Sequence, residues 1–398
     1  MTHFSESVSL FRPCHTYIIG VELSVKSLVA AYNELTKLDL RILRVIEVAH
    51  RRYEWVPMEV IVKWSNRSWE LVSKSLRKLN ALGMVLRWKG SYTGYRLTYY
   101  GYDALALHTL SKKGVIERIS PTPLGVGKES DVYVAEDPAG NKLVVKFHRL
   151  GRTSFRQTRK FRIWVGERRH ITWLYESRLS AHMEYKALVM TYNAGVTVPR
   201  PVAVNRHAVV MEYIEGLKLS EIKTGLEKPE DVLGSILDDV AVTFRDVGIV
   251  HGDLSEFNVL VELEEEKPYL IDWPQWVPRD YKNAIDLLRR DLENIIDFFR
   301  KEYDLEVNVD EVLKYIVEGI ELKELELEEA FEEMLSQKEL RAYVLGEESE
   351  ESIEKALSSI EKEFATTGKE DREKVKIGIL SSGEEEKNKS DENPAHQT

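Results

Sequence analysis

A single cysteine in 398 residues and the lack of any apolar run long enough to cross a membrane define this chain first by exclusion. Cys14 has no partner for an internal disulfide, and one thiol argues against a thiolate metal centre. Its plain reading is an inert thiol in a loose leader. No stretch approaches the ~18 continuous apolar residues of a spanning helix, so no membrane partner is expected. The first residues lack a charged head, apolar core and small-residue cleavage site, which argues against export and for a cytoplasmic protein. Length alone allows two or three compact units.

Net charge is −11, but it is unevenly spread. Residues 21–118 hold 17 Lys or Arg against 9 Asp or Glu, residues 119–300 hold 25 against 28, and residues 301–398 hold 13 against 29. A basic head is the electrostatic footprint of a nucleic-acid binder, whereas the acidic end would be repelled by phosphate.

Within the head, Leu40, Leu43, Val45, Ile46 and Val48 recur at helical spacing. The turn ending at Pro57 permits a second helix from Met58 to Trp64. Ser68 predicts the N-cap of a third, Trp69 to Leu82, with Gly83 just beyond its end. Two strands, 84–88 and 95–98, then flank a basic, aromatic turn, and a further helix follows over 101–110. Three helices and a β-wing are the winged helix-turn-helix order, and Arg77, Lys78, Arg87, Lys89 and Arg96 are the candidate phosphate contacts. His108 reads as a packing or capping residue.

The most informative stretch is His251-Gly252-Asp253-Leu254-Ser255-Glu256-Phe257-Asn258, followed fourteen residues after the Asn by the Asp of Leu270-Ile271-Asp272-Trp273. Transfer of a γ-phosphoryl group needs a carboxylate near the attacking oxygen, plus an amide and a further carboxylate to hold Mg²⁺. Asp253, Asn258 and Asp272 supply those three. Upstream, Leu124 to Ala135 reads as strand, glycine turn and strand, with Gly125, Gly127, Lys128, Ser130 and Val132 as nucleotide-contacting candidates. A Walker A motif is excluded, because Glu129 follows Gly127-Lys128. Lys146 stands between apolar residues on the next strand and needs a partner; Glu184, beside the apolar stripe of a helix over 179–188, is the candidate, with His182 and Lys186 facing solvent. A buried strand over 209–214 leads to Gly216, so Met211, Glu212 and Ile214 are candidates for contact with adenine.

Together, Gly-Lys-Glu-Ser-Asp-Val, Val-Lys-Phe-His-Arg-Leu-Gly-Arg-Thr-Ser-Phe-Arg, His-Gly-Asp-Leu-Ser-Glu-Phe-Asn and Ile-Asp-Trp-Pro-Gln resemble the RIO family of atypical serine/threonine protein kinases over about residues 30–300. The winged head, with Gly94-Tyr95-Arg96-Leu97-Thr98 and Gly101-Tyr102-Asp103, is similar to its type-2, archaeal-like branch. The resemblance implies an α+β chain with a winged helix-turn-helix domain (21–113) and a minimal bilobal kinase-like domain of N-lobe (114–215) and C-lobe (216–300); missing periodicity predicts a disordered leader (1–20), and the Glu-rich composition an acidic, helical or disordered tail (301–398). The resemblance also implies ATP with Mg²⁺ (Mn²⁺ as an alternative), a Lys146–Glu184 ion pair, Asp253 as catalytic-loop carboxylate, and Asn258 and Asp272 at the metal. Its implied partner is the pre-ribosomal small subunit, rRNA and ribosomal proteins, which matures with the help of an ATP-dependent kinase or ATPase.

Ordinary protein kinases carry Asp-Phe-Gly and Ala-Pro-Glu, and neither is present. An amphipathic helix starts near Ala284 instead, so an activation loop and peptide-docking helices have no sequence to occupy. A nucleotide-dependent switch with slow autophosphorylation is expected. Residues 151–170 hold seven Lys or Arg and one acid, which predicts a mobile basic loop for RNA, with Thr153, Ser154 and Thr158 as phosphorylation candidates. A small-molecule phosphotransferase of the aminoglycoside or choline kinase type, and a non-catalytic nucleic-acid-binding regulator, are the alternatives.

Overall fold

A computed structural model describes residues 26–149, 173–334, 350–365 and 369–380. The expected leader, the basic segment with Thr153, Ser154 and Thr158, and the polar last residues lie outside the described residues.

The head opens with α1 (Lys26–Glu34) and α2 (Lys37–Ala49), which begins at a capping box between Thr36 and Asp39. After β1 (Val56–Pro57), helices α3 (Met58–Ser65) and α4 (Trp69–Ala81) follow, the latter capped by Ser68. Gly83, at φ 69°, turns the chain into β2 (Val85–Lys89) and β3 (Thr93–Leu97), and α5 (Tyr99–Lys112) closes the winged-helix unit. The strands form an antiparallel sheet in the order β1-β3-β2.

The next sheet couples this head to the rest. It contains β4 (Arg118–Ile119), β5 (Gly125–Val126), β6 (Ser130–Glu136), β7 (Lys142–His148), β8 (Pro201–Asn205) and β9 (Ala208–Glu212), joined at one edge by β15 (Gly378–Ile379). Strand residues alternate between faces. Tyr133, Ala135, Leu143, Val145, Phe147, Ala208 and Val210 pack in one core with the winged-helix residues. Val144, Val209 and Met211 face the other way, into the core of the second lobe with α6 (Trp173–Asn193). The period-two pattern of three strands thus welds the head to one side of the sheet and leaves the other for a cleft.

The second lobe begins with β10 (Gly216–Lys218), α7 (Leu219–Ile222) and α8 (Pro229–Val242). β11 (Ile249–Val250) precedes the loop of Asp253, and β12 (Val259–Glu262) hairpins into β13 (Lys267–Leu270), pairing Val259 with Leu270. Only a short connection with β14 (Val277–Pro278), paired to β11, separates Asp272 from α9 (Ala284–Tyr303).

Two boundaries need correction. The C-lobe does not end near residue 300: α10 (Val309–Val317) and α11 (Leu327–Met334) bury Leu313, Ile316, Leu327 and Phe331 in its core. Nor are the described residues beyond 350 a separate acidic arm. Helix α12 (Glu350–Glu363) packs on α2, and Ile353, Ile360, Phe364 and Ile377 enter the winged-helix core. Arg67 meets Asp371 at 2.9 and 3.0 Å, Arg41 donates to the Phe364 carbonyl at 2.8 Å, and β15 runs parallel to β4. The acid-rich sequence hid this docking, because only a few apolar residues, Ile353, Ile360, Phe364 and Ile377, carry the inward face.

Candidate active site

Lys146 lies on β7 with Val132 opposite on β6 and Val209 opposite on β9, and its side chain leaves the sheet on the cleft face. Its ammonium lies 2.6 Å from Glu184 Oε1 on α6 and 2.7 Å from Asp272 Oδ1 at the end of the β12–β13 hairpin. Burial alone would depress this lysine, but the carboxylates of Asp272 and Glu184 outweigh it and hold the pKa above its ordinary value. Glu184 is the mirror case: burial pushes it up, yet Lys146 and His148 hold it down at about 2. His148, two residues along the strand, places Nε2 2.6 Å from Glu184 Oε2 and Nδ1 2.9 Å from Ser180 Oγ. One lysine and one histidine therefore bracket a single buried glutamate.

Asp272 has φ 68°, a left-handed conformation that costs a non-glycine residue about 1 kcal/mol and that Asp tolerates better than most. Its neighbours hold it there. The Ile271 amide donates to Asn258 O at 3.0 Å, His251 Nε2 donates to Ile271 O at 3.0 Å, and the indoles of Trp273 and Trp276 donate to Leu270 O and Met183 O. The last bond ties the Asp272 loop to the helix of Glu184. Burial lowers the His251 pKa to about 4, so this ring is a neutral donor at physiological pH.

The loop of Asp253 is built around a buried acid. Gly252, at φ 78°, approaches Gln275 so closely that an added Cβ would lie 2.8 Å from its carbonyl oxygen. The amides of Gly252 and Leu254 donate to Asp291 Oδ2 (2.7 Å) and Oδ1 (3.1 Å), Arg290 donates to Gly252 O, and Asn294 donates to Leu254 O. Asp253 projects, exposed, from between the two clamped amides, and Asn258 Nδ2 donates to its backbone carbonyl at 2.8 Å. Burial raises the Asp291 pKa to about 7 against the pull of these amides.

The remaining candidates border the same cleft less closely. Gly125, Gly127 and Lys128 are exposed, and an added Cβ at Gly125 would meet nothing within 4 Å, so the space beside the turn is open. Ser130 and Val132 are half-buried. Met211 is buried, and the Glu212 amide is taken by Arg200 O, so a base at this strand end would use other backbone groups of Glu212 to Ile214.

Three expectations are corrected here. His182 and Lys186 do not face solvent; both are half-buried and both have partners. Of the five phosphate candidates on the head, Lys78 is spent on Asp39 (2.6 Å) and the Glu34 carbonyl, and Arg96 on Glu54 and the Trp55 ring. Arg77, Arg87 and Lys89 remain exposed.

Sequence reading also missed the residues that brace the site. Arg149 grips Asp103 of α5 with both terminal nitrogens at 2.8 Å and Asp131 with Nε at 2.8 Å, all buried, while His207 lies 2.6 Å from Asp103. Its own amide donates to Glu129 O, so the glycine turn, the end of the Lys146 strand and the winged-helix domain share one anchor. A signal existed for Asp291, an acid inside the apolar stripe Leu288, Leu292, Ile295. Asp103 likewise interrupts the buried run Tyr102 to Leu107 of α5.

Two lobes meeting at Gly216, a lysine–glutamate pair in the first and a loop aspartate and hairpin aspartate in the second, are the architecture of the protein kinases. The RIO domain family model matches residues 131–312, and the Rio2 N-terminal model matches residues 32–113. The Rio2 RIO-type serine/threonine-protein kinase of Methanocaldococcus jannaschii is 38% identical over 275 residues, 67% of this chain and 99% of its own. The rio2 kinase of Schizosaccharomyces pombe is 35% identical over 73% of this chain and 82% of its own. The solved Rio2 kinase of Chaetomium thermophilum in its ADP/Mg²⁺–phosphoaspartate complex superposes with a TM-score of 0.65 at 29% identity, over 83% of this chain and 99% of that one. The chain belongs to the Rio2 branch of the RIO-type serine/threonine protein kinases. That membership sets aside the aminoglycoside-type and non-catalytic alternatives.

Proposed function

We propose that this chain is a Mg-ATP-dependent kinase that acts chiefly as a slow, nucleotide-hydrolysing switch during maturation of the small ribosomal subunit in the cytoplasm. In this reading Lys146, oriented by Glu184, meets the α- and β-phosphates, and the turn of Gly125, Gly127, Lys128 and Ser130 covers them. Val132 and Met211 flank the base, and Glu212 to Ile214 supply its backbone contacts. Asp253 faces the accepting oxygen. Asn258 and Asp272 hold Mg²⁺, with Mn²⁺ as a substitute. Exposed Arg77, Arg87 and Lys89 contact rRNA through its phosphates.

The observation that carries the reading is the meeting of Lys146, Glu184 and Asp272 within 2.7 Å across the two lobes. The donor set suits a metal that arrives with its nucleotide. Asn258 gives its Nδ2 to the Asp253 carbonyl and keeps Oδ1, while Asp272 gives Oδ1 to Lys146 and keeps Oδ2. Mg²⁺ takes one or two protein oxygens and completes its shell with phosphate and water; among the described residues no cluster of three acidic, His or Cys ligands offers more. Bound there, Mg²⁺ would neutralise charge on the phosphates.

Two observations support hydrolysis over peptide phosphorylation. Only eleven residues separate Asp272 from α9, too few for an extended peptide-binding segment. The Chaetomium relative was captured with ADP, Mg²⁺ and a phosphoaspartate, which is the product expected when a carboxylate rather than a peptide hydroxyl receives the phosphoryl group. No described helix is long and apolar enough to cross a membrane. Single-turnover assays with γ-labelled ATP test the reading. Slow Mg-dependent release of phosphate, hydroxylamine-labile label on the protein, and loss of both in Asp253→Ala and Asp272→Ala are expected. Efficient transfer to a free peptide without hydrolysis contradicts it.

A further inference from the structure

On the side of the sheet away from the Asp253 loop, α2, α5, α6, the β8–β9 turn and the end of α12 enclose a second cavity of about 460 Å³. Five cations line it, Arg44, Lys112, Lys113, Arg178 and Arg206, against two carboxylates, Glu47 and Glu363.

The charges divide into those already satisfied and those left over. Glu47 is shared between Arg44 (2.5 Å) and Arg206 (2.9 and 3.0 Å), which builds a rigid floor. Arg206 is further fixed by Leu105 O, Thr109 Oγ and Asn205 Oδ1. Glu363 reaches in from α12 and lies 3.4 Å from Lys112. The side chains of Arg178 and Lys113 make no ion pair or hydrogen bond among the described residues, and the Arg178 Nε is buried without a partner. Asn205 spends its Oδ1 on Arg206, which leaves its amide N–H groups facing the cavity.

What remains is a surplus of donors with no matching acceptor: a guanidinium, an ammonium and an amide. An unpaired buried donor is costly, and a guanidinium fork with a nearby lysine suits a phosphate group, which only accepts. We propose that this cavity is a second anion site, distinct from the nucleotide cleft, that binds a phosphate-bearing ligand between Arg178, Lys113, Lys112 and Asn205. The ligand displaces Glu363 from Lys112. Because it bridges α5 of the winged-helix domain to α6, the helix that carries Glu184 six residues beyond Arg178, its binding also stiffens the junction of head and N-lobe.

The test uses the full chain, with inorganic tripolyphosphate and a short single-stranded RNA as probes, each followed by thermal shift and by titration with the nucleotide cleft saturated with Mg-ADP. For Arg178→Gln/Lys113→Gln we expect at least a tenfold loss of affinity for tripolyphosphate and Mg-ADP affinity within twofold of the native protein. Lys113→Ala, an exposed position whose change cannot disturb folding, gives a smaller loss in the same direction. Glu363→Gln tightens binding severalfold, since it removes the competing carboxylate. Parallel losses for the RNA identify nucleic-acid phosphates as the source, and losses confined to tripolyphosphate identify a free phosphate compound. Equal affinity of both probes for native protein and double variant, or no binding of either once the cleft is filled, overturns the proposal.

Discussion

Asp291, on the helix α9, accepts hydrogen bonds from the Gly252 amide at 2.7 Å and from the Leu254 amide at 3.1 Å, so its carboxylate holds the backbone on both sides of Asp253. Asn at this position keeps the shape but turns an N–H toward an amide N–H. Asp291→Asn should cost about 1–3 kcal/mol of stability and depress ATP turnover through kcat more than KM. Chemical denaturation and steady-state ATPase assays read the two effects; an unchanged kcat in a folded variant would show that the loop needs no such clamp.

The buried charge cluster sets a second expectation. Lys146→Met leaves Glu184, only 1% exposed, and Asp272 without their common cation. Removal of one member of a buried pair typically destabilises by about 3–5 kcal/mol, and His148 beside Glu184 should hold the loss to the lower end. Urea unfolding at neutral pH measures it. A variant as stable as the native chain contradicts the pairing.

Acid sensitivity follows from the histidines. Burial holds His50, His108, His207 and His251 at about 4 and His182 at about 3, all below the ordinary value of 6.5. The unfolded chain therefore takes up protons first, and folding stability present above pH 6.5 is lost as pH falls toward 4. Glu184, held at about 2, adds a further loss below its ordinary 4.5. Melting temperature should drop steeply between pH 7 and 5, and His251→Asn should flatten that slope; a flat profile refutes the assignment.

The C-terminal return is expected to stabilise the head. A chain ending at residue 345 loses α12 and β15, exposes the core partners of Ile353, Ile360, Phe364 and Ile377, and frees Arg67 and Arg41. At about 1.5–3 kcal/mol per buried large side chain, the melting of the winged-helix core should fall by several kcal/mol, visible by calorimetry. Unaltered melting would mean that the return adds nothing.

Nucleic-acid binding should separate the five basic candidates. Arg87→Ala or Lys89→Ala is expected to lower the slope of log K against log salt by about one unit with no loss of stability. Lys78→Ala should instead lower the melting temperature, because it leaves Asp39, buried in the first turn of α2, with one partner fewer. Equal effects of Lys78 and Lys89 on RNA affinity would contradict this division.

Local chemistry made much of the molecule legible from its sequence. Helical periodicity and the Ser68 cap marked the winged helix, and the stretch from Asp253 through Asn258 to Asp272 marked a loop and a returning hairpin, because these depend on neighbours a few residues apart. Which charges are free was decided only in three dimensions. Lys78 and Arg96 look like Arg87 in sequence, but partners 39 and 42 residues away consume them. The same holds for Asp291 and Arg149, whose roles exist only where distant elements meet, and for the acid-rich end, whose sparse apolar face finds a core more than 300 residues upstream. Sequence specifies what each residue can do chemically; burial and proximity, set by long-range packing, select which of those capacities is used.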